Sequence, residues 1–240
     1  MRSITGALRR RSRQIWSRVT RRVSRHVPGL QPQPHVGYGS YVDPSVQFIG
    51  ADWVHVGNDT IVSEQCWFNV NHRDATTVGV FIGDNGFIGR RNFFTCGTHI
   101  KLGAFCLTGV DCRFLGAGHV HGNPFVPYLT AGTTRGTIDV GDNCWLGANV
   151  TVMSGITIGF GSIIGAGSLV REDVPPFSLV AGAPGRVIKR FHPQRKAWFP
   201  AEEGEPVGLP SAAEYGHLLG KFSFDVAGFQ IAASSRFGNL

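Results

Sequence analysis

An aliphatic or aromatic residue returns every six positions along most of this chain. From Val140 the series runs Val140, Leu146, Val152, Ile158, Ile164, Val170. Upstream it comes in threes: Val36, Val42, Phe48; Val56, Val62, Phe68; Ile82, Ile88, Phe94; Leu102, Thr108, Phe114. These make eighteen hexads in six groups, and seventeen of the eighteen lead residues are apolar, Thr108 being the exception. Helices repeat at 3.6 residues and strands at 2, so neither gives this pattern. A fixed short period is the mark of a solenoid, in which each unit buries its apolar side chains against its neighbours. The period predicts an all-β solenoid of about six coils, each with three short strands and three tight corners, lead side chains pointing inward. At ~4.8 Å per coil, six coils make a prism of about 29 Å. The third lead position (Phe48, Phe68, Phe94, Phe114, then Val152 and Val170) predicts a phenylalanine ladder along one interior edge.

The same register accounts for the composition. Glycine occurs 33 times in 240 residues, about twice the usual ~7%, and apolar residues at 42% are too frequent for disorder. Glycine follows several lead residues directly, as at Gly141, Gly147, Gly159 and Gly165, where corners are expected to turn sharply or need positive φ. Cys66, Cys106, Cys112 and Cys144 stand four places after a lead residue, where other hexads carry Ser, Thr or Val. They read as small inward side chains, not ligands or disulfides. An odd number of cysteines, no CxxC pair and no visible signal peptide suit a reducing compartment, so the expected location is cytoplasmic. Insertions at 54–55, 74–81, 100–101 and 120–139 all follow a third hexad. All should therefore leave the coil at one corner, and loops on a rigid scaffold tend to carry function.

The charge is unevenly placed. The net +7 includes nine Arg and no acidic residue before Asp43; the remainder holds 14 basic and 16 acidic residues. A near-neutral body argues against a nucleic-acid partner. In the arm, Ile4, Leu8, Ile15, Val19, Val23 and Val27 recur at helical spacing between arginines, up to Pro28-Gly29. This basic amphipathic helix could pack on the body or a neighbouring subunit, lie on an anionic membrane surface, or be a cleaved targeting segment. Peripheral contact at the inner membrane face would run through residues 1–27. No apolar run reaches the ~18 residues that span a bilayer. The expected organisation is an arm (1–34), a repeat domain (35–190) and a C-terminal tail (191–240) without a readable motif; arm and tail are candidate covers for the solenoid ends.

From Thr137 the chain reads TIDVGDNCWLGANVTVMSGITIGFGSIIGAGSLVREDVPPFSLVAGAPGRVIKR. This resembles the hexapeptide-repeat (left-handed parallel β-helix) acyltransferases, in particular the sugar O-acetyltransferase branch containing galactoside, maltose and nodulation-factor acetyltransferases. The resemblance covers about residues 36–190 and is strongest in WLGANV (145–150), GAGSLV (165–170) and DVPPFSLVAGAPGRVIKR (173–190). It implies a homotrimer with active sites between subunits, acetyl-CoA along the coil surface as co-substrate, no metal, and a general-base histidine on an ejected loop. By register and the preceding glycine, His119 of GAGHVHGNP matches that histidine, with His121 as the second candidate. An imidazole, titrating near about 6.5, suits removal of a proton from a hydroxyl attacking a thioester. The resemblance places pantetheine against Ala148, Gly165 and Ala166, with Trp145 bordering the channel or packing at a corner. Arg171, Arg186 and Lys189 are the candidates for the CoA phosphates. Where the family often has Lys this chain has Glu172, which removes one cation contact and leaves Arg171 as its substitute.

Asn69, Asn71 and Asp74 are candidate acceptor-binding groups by position, beside turn-forming roles; Pro124, Phe125, Pro127 and Tyr128 would shape the longer loop. The expected activity is acetyl-CoA-dependent O-acetyl transfer to a sugar or glycan hydroxyl, as in polysaccharide biosynthesis. N-acylation of an amino sugar would use the same scaffold. A zinc-dependent carbonic anhydrase of this fold would need three histidines, for which His99, His119 and His121 are available, and a non-catalytic trimeric scaffold is the remaining class.

Overall fold

The computed structural model describes residues 33–75 and 77–226. The chain separates into two units, Met1–Gln33 and Pro34–Leu240. The helix and membrane contact expected for residues 1–27 lie outside the described residues, as do residues 227–240.

Coil one of the second unit holds β1 (His35–Val36), β2 (Tyr41–Val42) and β3 (Gln47–Ile49); coil two holds β4 (Val54–Val56), β5 (Ile61–Val62) and β6 (Trp67–Asn69). Coil three comprises β7 (Gly79–Ile82), β8 (Phe87–Ile88) and β9 (Phe93–Thr95); coil four comprises β10 (His99–Leu102), β11 (Leu107–Thr108) and β12 (Arg113–Leu115). An antiparallel hairpin of β13 (Ala117–His119) and β14 (Thr133–Arg135) then leaves the coil. Coil five resumes with β15 (Thr137–Val140), β16 (Trp145–Leu146) and β17 (Thr151–Met153), and coil six with β18 (Ile156–Ile158), β19 (Ile163–Ile164) and β20 (Leu169–Val170). The strands stack into three parallel faces: β1-β4-β7-β10-β15-β18, β2-β5-β8-β11-β16-β19, and β3-β6-β9-β12-β17-β20.

The register of these faces is the register of the sequence. On the first face Val36, Val56, Ile82, Leu102, Val140 and Ile158 are successive partners. On the third, Phe48, Phe68, Phe94 and Phe114 stack with centroids 5.4, 4.5 and 4.6 Å apart and continue into Val152 and Val170. Thr108 breaks the apolar pattern because the corner residue beside it is a buried asparagine. Its Oγ1 accepts from Asn92 Nδ2 at 2.7 Å and from the Gly89 amide at 3.0 Å, so the hydroxyl joins the buried polar network of that corner. All five cysteines are free and buried. Burial pushes the Cys66 thiol up to about 12 and Cys112 to about 11, far from a reactive thiolate.

One expectation about glycine needs correcting. The positive-φ corner residues stand three places after the lead and are mostly not glycine: Asp59, Asn85, Phe105, Asn143 and Asn149 among them. The glycine directly after the lead serves the stacking of coils. A Cβ on Gly147 would lie 2.6 Å from the Ala166 amide nitrogen one coil on, and one on Gly109 would lie 2.6 Å from that of Ala148. No side chain fits such a backbone approach.

Residues 191–226 carry more regular structure than their sequence suggests. β21 (Ser178–Ala181) extends the second face in parallel, and β22 (Arg186–His192) and β23 (Ala197–Pro200) add to it antiparallel, so a boundary at 190 falls inside β22. Helix α1 (Ala212–Leu219) begins with a capping box between Ser211 and Glu214. Its Tyr215 ring packs 5.1 Å from Phe160 and 5.0 Å from Phe177, and farther on the Phe224 amide donates to Asn85 Oδ1 at 2.9 Å. Residues 211–226 thus run over corners of their own coils.

At the opposite end, the His35 and His55 rings stack 4.5 Å apart. Burial and the neighbouring His35 hold the His55 pKa below the ordinary imidazole value. Such a group binds its proton less readily folded than unfolded, so its stabilisation is present above the unfolded pKa and lost as pH falls through the folded one. Protection of the Val56 amide, taken relative to its intrinsic exchange rate, should fall as the pH drops below the ordinary imidazole range, and His55→Phe should remove that pH dependence.

Candidate active site

All insertions leave between the third and first faces, and the two long ones meet there. β13 and β14 carry the ejected hairpin, with His119 opposite Thr133 and Ala117 opposite Arg135. The neck is fixed by the coil: the Gly136 amide donates to Gly116 O and the Thr98 amide to Gly136 O, both at 2.9 Å, and Ser154 Oγ donates to Gly116 O at 3.1 Å. His119 is exposed at the end of β13. His121 Nδ1 lies 3.1 Å from His119 O, a contact in which the ring nitrogen donates. Beyond it the tip is apolar and open, Phe125 being 93% and Leu129 85% exposed.

The shorter loop, after β6, reaches the same hairpin. Arg135 Nη1 donates to both Asp74 oxygens, at 3.0 and 2.8 Å, and His72 Nε2 lies 3.4 Å from Thr133 Oγ1. The hydrogen bond from Arg135 holds the Asp74 carboxyl below the usual carboxylate range. Asp74 is therefore engaged by a guanidinium, whereas Asn69 Oδ1 is buried without a hydrogen-bond partner and Asn71 is exposed. His72 and Arg135 were absent from the sequence-derived set; the sequence signal for Arg135 is only its place in the ejected segment.

The residues assigned to CoA gather elsewhere. Ala148 and Ala166 stand one coil apart at the corner between the second and third faces, with the Gly167 amide donating to Ala148 O at 2.8 Å. Trp145, Ile163, Leu179 and Lys189 are successive partners along the outside of the second face, and Trp145 is 51% exposed. Gly165 lies at the same corner, where an added Cβ would meet Val180 O at 3.2 Å. Arg171 and Lys189 are exposed, but Arg186 Nη1 donates to Glu172 Oε1 at 2.8 Å. Within one chain the third face separates this corner from His119. His99 Nε2 sits 2.9 and 3.0 Å from the Asp139 carboxylate oxygens. Among the described residues of a single chain, no group of three His, Cys, Asp or Glu side chains is placed to hold a metal ion.

Comparison with known proteins bears on the fold and the family. The family model "Bacterial transferase hexapeptide (six repeats)" matches residues 137–172. The galactoside O-acetyltransferase of Escherichia coli is 30% identical over 164 residues, covering 68% of this chain and 67% of that one. The chain belongs to the hexapeptide-repeat transferase family, and its fold is the left-handed parallel β-helix. A putative lipopolysaccharide biosynthesis O-acetyl transferase of E. coli is 36% identical over 76 residues, 32% of this chain and 39% of that one. A probable acetyltransferase of Mycobacterium tuberculosis is 27% identical over 137 residues, 57% of this chain and 42% of that one. The chain thus spans less than half the length of these two relatives. Among solved structures, a hexapeptide-repeat-containing acetyltransferase from Vibrio cholerae superposes with a TM-score of 0.50 at 27% identity, covering 66% of this chain and 74% of that one. The N-acyltransferase AntD of Bacillus cereus, solved with dTDP and 3-hydroxybutyryl-CoA, shares the fold with a TM-score of 0.58 at 19% identity, over 66% of this chain and 84% of that one. Among the described residues no helix is long and apolar enough to cross a membrane.

Proposed function

We propose that this protein transfers the acetyl group of acetyl-CoA to a hydroxyl of a sugar or glycan, with His119 as general base. The observation that carries this reading is the rigidly necked hairpin, which presents an exposed imidazole beside the loop bearing the acceptor candidates. His119 takes the proton of the attacking hydroxyl, and a backbone N–H stabilises the oxyanion that forms on the thioester carbonyl. His121 is the weaker candidate, since its Nδ1 is turned onto the His119 carbonyl. Asn71, exposed on the loop after β6, is open to an acceptor hydroxyl. The E. coli relatives named for O-acetyl transfer to galactosides and in lipopolysaccharide biosynthesis favour a glycan acceptor and an ester product.

Acetyl-CoA fits the small-residue corner of Ala148, Gly165 and Ala166, along the Trp145 row that ends at Lys189. The separation of this corner from His119 within one chain supports a homotrimer in which neighbouring copies complete each site. Arg171 and Lys189 hold the phosphates; Arg186 is offset by Glu172. Glu172→Lys should release Arg186 and add a cation, lowering the acetyl-CoA KM by about fivefold, on the order of 1 kcal/mol, with the acceptor KM unchanged in steady-state kinetics. The reading as a whole is tested by acetyl-CoA consumption against simple sugars, nucleotide sugars and polysaccharide repeat units. Consumption with one such class is expected; none across the panel, with no CoA binding, favours the scaffold role. Metal analysis of the purified protein separates the anhydrase alternative, which stoichiometric zinc would favour.

A further inference from the structure

The two long insertions are joined by side chains that acetyl transfer itself does not require. Among the described residues, side-chain hydrogen bonds from residues 117–135 to the rest of the chain join two residue pairs: Arg135 with Asp74, through both carboxylate oxygens, and Thr133 with His72 at a longer distance. We infer that Asp74 and Arg135 are positioning residues, their ion pair tying the loop after β6 to β14 and so fixing the strand that ends in His119.

The register makes the connection direct. Arg135 lies opposite Ala117, and Thr133 opposite His119, so both contacts act on the strand that is paired with the catalytic one. Partners in an antiparallel pair share a face of the ribbon, which places His72, Thr133 and His119 along one side of the hairpin. The neck is anchored by backbone hydrogen bonds to the coil, but the strands beyond it gain their bearing from these side chains. A base must sit within hydrogen-bond reach of the proton it removes, and small misplacements of such a group cost rate. Asp74 is thereby reassigned from acceptor ligand to latch. Its carboxylate is already occupied by Arg135, and Arg135 Nη1 engages both of its oxygens, at 3.0 and 2.8 Å.

The kinetic side of this inference rests on the proposed role of His119; the structural side does not. Hydrogen exchange across residues 117–135 should be followed in the full-length protein for wild type, Asp74→Ala, Arg135→Ala, Arg135→Lys and the exchanged pair Asp74→Arg/Arg135→Asp. Each alanine variant is expected to exchange faster by about fivefold, the scale of an exposed ion pair. The exchanged pair and Arg135→Lys should recover most of the protection. In parallel, kcat should fall by a similar factor in the alanine variants with the acetyl-CoA KM unchanged, and rise again in the exchanged pair. Wild-type exchange in both alanine variants overturns the inference. So does an Asp74→Ala variant that raises only the acceptor KM while Arg135→Ala matches wild type, since Asp74 would then be an acceptor ligand. A wild-type protein that transfers no acetyl group refutes the base role of His119 and leaves the exchange result to decide the latch.

Discussion

Replacing His119 by alanine should lower kcat by about 100- to 10,000-fold, the usual contribution of a positioned general base, while CoA binding stays near the wild-type value. The two effects separate because CoA is held by the small-residue corner and by Arg171 and Lys189, whereas His119 acts on the proton of the acceptor hydroxyl. His119 ends β13 on the ejected hairpin, whereas Ala148, Ala166 and Lys189 belong to the last coils and the strand beyond them. The side chain is exposed, so its removal leaves no cavity and the melting temperature should hardly move. Steady-state kinetics with calorimetric CoA binding checks both halves. His121→Ala should retain most activity; if that variant is the inactive one, the base lies two residues along.

The second large effect concerns the core. Phe94 is fully buried and sandwiched between Phe68 and Phe114, with centroids 4.5 and 4.6 Å away. Phe94→Ala should cost about 3–5 kcal/mol for the lost burial, the residual cavity and the two broken ring pairs together. Domains are typically stable by about 5–15 kcal/mol, so this change alone should bring the coils close to unfolding. Phe48, at the end of the same ladder and only partly buried, should cost much less. Urea denaturation of the two variants gives the comparison, and equal losses would contradict a ladder that stacks coil on coil.

The solenoid was legible because each coil repeats the same demand: an apolar lead residue every six positions, stacked on its equivalent. That is why the faces, the phenylalanine ladder and the common corner of the insertions could be read before any coordinates. The reason for the glycines was not, since close backbone approach between Gly147 and Ala166 leaves the same trace in a sequence as a left-handed turn. The ion pairs were hidden as well. Asp74 and Arg135 are far apart in the chain and outside the repeat, and Arg186 meets Glu172 only because β22 folds back along β21. The tail obeys no period: the packing of Tyr215 on Phe160 and Phe177 is tertiary, set by shape, and no local pattern announces it.

The proposed product is an acetyl ester made on a glycan hydroxyl from acetyl-CoA. Labelled acetyl-CoA incubated with the full-length protein and the acceptor class found by the panel gives a product whose linkage can be read by mild alkali. Label should appear in the glycan, be released by alkali, and be absent with His119→Ala. Label that survives alkali as an amide, or the same yield from the His119→Ala variant, would contradict the proposed reaction.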